Sequence, residues 1–131
     1  MTISLNFQKL SQQELLDLAN KSRDVETLAK LAVFENYIVH LAIARNQYTN
    51  STTLAILAES FYAIIRRYVA RHHNTDIATL DILSRDPDHT VRAAVAKNPS
   101  TSTETRERLA NDPNYEVRMA AYRADTNVRK I

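Results

Sequence analysis

Val39, Ile65, Val91 and Val117 stand 26 residues apart and open four similar segments, VHLAIARNQYT, IRRYVARHHNT, VRAAVAKNPST and VRMAAYRADTN. The same phase runs through Leu31, Leu57, Leu83 and Leu109, and through Thr27, Thr53, Thr79 and Thr105, with no insertion or deletion. A fixed period of this length belongs to a solenoid, whose units are too small to bury their apolar faces alone and rely on stacked neighbours. The phase sets units at 24–49, 50–75, 76–101 and 102–127, and LLDLANKSR matches the end of a unit, so residues 1–23 read as a half-repeat cap. With 131 residues, 44% hydrophobic and 24% charged, the chain fits one folded domain spanning 1–131.

Each unit reads as a pair of helices. Asp24, Asn50, Asp76 and Ser102 precede an apolar i, i+3 pattern such as Leu28 and Leu31, which makes them an N-cap column for the first helix. Asn36, Asp88 and Asn114 form a second N-cap column, the latter two within Asp86-Pro87-Asp88 and Asp112-Pro113-Asn114. Tyr62 interrupts that column, and with no breaker from Leu54 to Arg71 the two helices of the second unit are expected to run together. Ser11-Gln12-Gln13-Glu14 has capping-box spacing and should open the helix of the cap.

The chain has no glycine, the residue that most often ends a helix in the left-handed conformation. The second helices should end near Asn46, His72, Asn98 and Ala124, with Asn20 in the same phase, and asparagine is expected to take the left-handed role. Second helices carry Val, Ala and Ile at i, i+3 and i+4, and their many alanines permit close helix approach. Arg106 and Glu107 replace the Leu and the Ala or Asp of earlier units, which points to a polar C-terminal cap.

LSRDPDHTVRAAVAKNPSTSTETRERLANDPNYEVRMAA, with Asp-Pro-Asp or Asp-Pro-Asn followed by VR, an alanine-rich helix and NPST, resembles the leucine-rich repeat variant family, a HEAT-like helical repeat. In the first two units only the period and the VHLAIARN and VARHHNT echoes carry the resemblance. It implies an all-α right-handed superhelix in which the first helix of each unit is short or 3₁₀. The founding member of the family holds a cysteine-bound iron–sulfur cluster ahead of its repeats; this chain has no cysteine, so a redox role does not carry over. Family membership implies a scaffold and no common activity.

Two columns of the second helix are cationic: His40, Arg66, Arg92 and Arg118 near its start, and Arg45, Arg71, Lys97 and Arg123 near its end, with Arg67 beside them in the second unit. Rungs about 8–10 Å apart, the spacing of packed helices, could follow phosphates or an acidic protein surface. Each column also has a purely structural reading. The end column places cations at helix C-termini, where the dipole favours them, and the front column could pair with acids of a neighbouring unit as an Asp–Arg ladder. Net charge does not decide between these, since 17 Lys and Arg face 15 Asp and Glu.

His72, His73 and Asp76 lie close in sequence, but no further ligand has regular spacing, and neither a metal nor a cofactor is expected. His40 and His89 read as surface or cap residues, and the aromatics Phe34, Tyr37, Tyr48, Phe61, Tyr62, Tyr68, Tyr115 and Tyr122 mostly as core or groove packing. Without glycine there is no phosphate-cradling loop, and neither a nucleophile elbow nor a paired carboxylate site stands out, so no enzymatic activity is expected. HEAT-like alkylpurine DNA glycosylases are the enzyme comparison, but this chain has no tryptophan for such a cleft. No secretory leader or membrane-length apolar run is seen, which suggests a cytoplasmic protein. The expected role is a non-catalytic scaffold for a protein partner, with nucleic-acid binding as the alternative; the oligomeric state stays open.

Overall fold

The computed structural model describes residues 6–128, with side chains to 124. The first five residues of the cap and the side chains of 125–127 in the last unit lie outside the described residues. A 3₁₀ turn, Phe7–Lys9, precedes α1 (Gln12–Lys21), α2 (Val25–Leu31), α3 (Tyr37–Arg45), α4 (Ser51–Leu57), α5 (Ala63–Arg71), α6 (Ile77–Leu83), α7 (His89–Lys97), α8 (Thr103–Leu109) and α9 (Tyr115–Val128). The fold is all-α, with no strand among the described residues. Helices α2, α4, α6 and α8 are each seven residues long and α3, α5 and α7 nine, all in the 26-residue phase. The short helices are α-helical, not 3₁₀.

Packing follows two rows. Helix α1 lies on α3, α3 on α5, α5 on α7 and α7 on α9, while each short helix packs on the long helices before and after it. The seam holds the aligned columns: Leu31, Leu57, Leu83 and Leu109 are buried, as are Val39, Ile65, Val91 and Val117, with Ala44, Ala70 and Ala96 among them. Helix α1 stands where a long helix of a preceding unit would stand, and Phe7 closes the end by packing edge-on to Phe34 at 6.0 Å. Its capping box is formed, with the Ser11 hydroxyl accepting from the Glu14 N–H at 3.2 Å.

Both N-cap columns are in place. Asn50, Asp76 and Ser102 accept from the N–H three residues on at 3.0, 2.8 and 3.1 Å, and Asp24 from that of Glu26 at 3.4 Å. Asn36, Asp88 and Asn114 accept from the N–H two residues on at 3.0, 2.7 and 2.8 Å. The second unit does break between its helices, contrary to the sequence expectation. Ser60 occupies the column of Asp86 and Asp112, and its hydroxyl accepts from the Tyr62 N–H at 3.2 Å just as those carboxylates accept from Asp88 and Asn114 at 2.9 Å. Serine thus supplies the turn that Asp-Pro supplies elsewhere.

Helix ends also depart from expectation, because no described residue has φ > 0. Asn46, His72 and Asn98 leave the helix extended, with ψ of 122°, 134° and 123°. Their side chains reach back one unit instead. Asn46 Nδ2 donates to Ala19 O and Ser22 O, both at 2.9 Å; His72 Nε2 donates to Asn46 O at 2.7 Å; Asn98 Nδ2 donates to Ala70 O at 2.8 Å and His72 O at 3.0 Å. Thr49, Thr75 and Thr101 hydroxyls bind the carbonyls of Ile43, Val69 and Val95 at 2.6–2.7 Å, meeting acceptors a helix end leaves open. This buried polar ladder does the work glycine does elsewhere, and it fastens neighbouring units together.

At the last unit the pattern changes. Helix α9 runs through Ala124 to Val128, so Ala124 ends no helix, and alanine cannot reach back. Arg106, in the leucine position, donates from Nη2 to Asn98 O and Thr101 O, both at 3.3 Å, and so takes up the acceptor that the next asparagine would have met. Asn20, for its part, lies exposed inside α1.

Candidate partner-binding surface

The two cationic columns differ in state. In the front column the Arg66 fork binds Asp86 (Nε to Oδ2 2.7 Å, Nη2 to Oδ1 3.1 Å), and the Arg92 fork binds Asp112 (2.8 and 3.1 Å), each in the following unit. The third nitrogen ties the loop of its own unit: Arg66 Nη1 to Ser60 O at 2.8 Å, Arg92 Nη1 to Asp86 O at 2.7 Å, Arg118 Nη1 to Asp112 O at 2.8 Å. The paired side chains are nearly out of solvent, 15% and 5% exposed for Arg66–Asp86, 16% and 7% for Arg92–Asp112. The hydrogen bonds to Asp86 and Asp112 keep these guanidiniums even more firmly protonated than usual, against the opposing effect of burial. Burial works to raise the Asp112 carboxyl, but the Arg92 fork, the Asn114 N–H and the Arg118 charge outweigh it and hold it below the ordinary value.

His40 fills the same position in the first unit, where its Nε2 is buried without a hydrogen-bond partner among the described residues. Arg118 lies over the Tyr115 ring at 5.8 Å. Arg66 and Arg92 are therefore built into the joints between units, the Asp–Arg ladder of the column's structural reading, while His40 and Arg118 make no such pair among the described residues.

The end column is arranged differently. Arg45, Arg71, Lys97 and Arg123 are all exposed on the long-helix row. Arg45 and Arg71 both lie over the Tyr68 ring at 5.6 Å, so two guanidiniums from successive units share one aromatic. Grooves open between successive long helices: about 300 Å³ between α3 and α5 at Arg45, Tyr68 and Arg71, about 640 Å³ between α5 and α7 at Arg67, Arg71 and Lys97, and about 460 Å³ between α7 and α9 at Lys97 and Arg123. Alanines floor them, Ala44, Ala93, Ala94 and Ala120, and Glu116 is the acid that borders the two larger ones. Arg67 is half-buried beside Arg71, its Nε shielded from solvent and without an acceptor among the described residues.

His72 is the buried cap residue described above, and His73 stacks on it at 4.8 Å and 15° because both lie beyond the last helical residue, Arg71, where the 100° helical offset no longer applies. Among the described residues no three His, Asp or Glu side chains come together to hold an ion. The aromatics sit further out than expected: Phe61, Tyr62, Tyr115 and Tyr122 are largely exposed, with Tyr62 against Tyr37 at 4.5 Å. Leucine, isoleucine, valine and alanine fill most of the seam, with Phe7 buried in it and Phe34 and Tyr68 packed against it.

The fold and these joints place the protein in the helical-repeat class. One full period, residues 89–114, matches the family model described as leucine rich repeat variant, a HEAT-like helical repeat family. No curated protein and no solved structure matches the chain. No helix among the described residues is long and apolar enough to cross a membrane.

Proposed function

We propose that the protein is a non-catalytic α-solenoid scaffold, a right-handed superhelix of four 26-residue units at 24–49, 50–75, 76–101 and 102–127 behind the cap 1–23. It presents its long-helix row to a protein partner, with Arg45, Arg67, Arg71 and Lys97 as the contact cations. The observation that carries this reading is the division between the columns: Arg66 and Arg92 of the front one are tied to carboxylates, while the end one borders alanine-floored grooves that hold one acid, Glu116. Small floor residues let a partner's backbone approach closely, and cations on the walls select an acidic segment.

Nucleic acid is the alternative for the same cations. It is the weaker reading because Arg66 and Arg92 hold their own carboxylates, and because the aromatics that line these grooves, Tyr68 and Tyr115, already carry guanidiniums in place of a base. The test is fluorescence anisotropy of a labelled Glu-rich peptide and of labelled duplex and single-stranded oligonucleotides across a salt series. Binding of the peptide that is lost with Arg71→Ala and Lys97→Ala supports the scaffold reading. Oligonucleotide binding that falls steeply with salt, with no peptide binding, replaces it with phosphate tracking.

A further inference from the structure

Among the second-helix positions, one breaks the repeat in a way the scaffold alone does not require. Leu41, Ala93 and Met119 mark an apolar column, and in the second unit that column holds Arg67. Arg67 and Arg71 are one helical turn apart on α5, so their side chains lie on one face. Across the groove stands Lys97 of α7. None of the three has a hydrogen bond or ion pair to the protein among the described residues, and the Arg67 Nε is buried with no acceptor at all. A buried donor left unmet is uncommon; among the described residues His40 Nε2 and Arg106 Nε share that state, and Arg67 lines the groove.

We infer that this groove between α5 and α7 binds a doubly charged phosphoryl group carried on a protein segment, such as a phosphothreonine or phosphoserine. This deepens the scaffold reading and rests on it. Three cations lining one groove exceed what a single carboxylate needs, whereas a phosphoryl dianion with three strong acceptor oxygens offers acceptors for the forks of Arg67 and Arg71 and for the point charge of Lys97. The paired arginine occurs in one unit only, so recognition is local and does not recur along the row as a polyanion's would. Glu116 lines this groove as well as the next and lies 3.8 Å from His89 Nε2, so its charge opposes any anion there and does not by itself separate a phosphoryl group from a nucleic-acid strand.

The experiment is a titration of the ¹⁵N-labelled full chain, following the arginine Nε–H and backbone signals. The probes are an alanine peptide centred on phosphothreonine, the same peptide with threonine or glutamate there, and single-stranded oligothymidine. The phosphopeptide should shift Arg67, Arg71 and the Lys97 backbone together and bind at least about tenfold tighter than the glutamate peptide, the worth of one further charge-assisted bond. Arg67→Lys, which keeps the charge and loses the fork, should remove about that factor while leaving signals elsewhere unchanged. Equal binding of the phosphothreonine and glutamate peptides in the grooves would overturn the phosphoryl site and leave the scaffold. Oligothymidine binding tighter than the phosphopeptide, with shifts spread from Arg45 onward, would replace both with a polyanion track, and no shift in any groove would reject both.

Discussion

Removing Arg92 tests whether the front column belongs to the fold or to a ligand. Arg92 gives Asp112 two charge-assisted bonds, at 2.8 and 3.1 Å, and gives Asp86 O a third at 2.7 Å. Such bonds contribute about 1.5–3 kcal/mol each, but water entering the space left behind recovers part of that. Asp112 also keeps the Asn114 N–H at 2.9 Å. Arg92→Ala should therefore destabilise by about 3 kcal/mol, the lower end for breaking a buried pair. Replacing both partners, Arg92→Met with Asp112→Leu, takes away the stranded charge and should restore stability to within about 1–2 kcal/mol of the starting protein. Urea unfolding of Arg92→Met, Asp112→Leu and the double gives the cycle; with about 3 kcal/mol expected for each single and about 1–2 for the double, the coupling should exceed about 2 kcal/mol. A coupling below about 0.5 kcal/mol is that of an exposed surface pair; it would refute the ladder and return Arg92 to the set of cations a ligand could use.

Leu83, buried in the leucine column, should lose about 2–5 kcal/mol on change to alanine in the same unfolding assay; a loss under about 0.5 kcal/mol would take it out of the core. His72 is held neutral, first by burial and then by the nearby His73, against the favourable Asn46 carbonyl, so its folded pKa lies below the ordinary value near 6.5. The unfolded chain then binds the proton more readily, and stability is full above about pH 6.5 and falls as pH drops below it. His72→Asn, which keeps the capping chemistry of Asn46 and Asn98, should flatten that slope just below about pH 6.5, where carboxylates do not titrate; an unchanged slope would assign it elsewhere. Asp88→Ala removes the cap on Thr90 N–H and should cost about 1 kcal/mol in thermal or urea unfolding.

What the sequence made legible was whatever a residue does in its own column. Helix starts followed from the Asp, Asn and Ser caps, and the core from the aligned Leu and Val, because both depend on local geometry repeated in phase. What stayed hidden was the chemistry between columns. Asn46 and Asn98 looked like helix terminators with the wrong backbone angle, because a side chain that reaches a carbonyl 24 to 28 residues back leaves no local trace. The break at Ser60 had a signal, its alignment with Asp86 and Asp112, but the missing proline masked it. The same distinction sorts the cations. Arg66 and Arg92 have an aspartate 20 residues ahead at 86 and 112, and the first unit confirms the rule by exception: His40 stands 20 residues before Ser60, where no carboxylate waits, and no arginine is used. An arginine with no acid in that register, such as Arg67, is not explained by the joints between units, and that leaves the groove as its place of work.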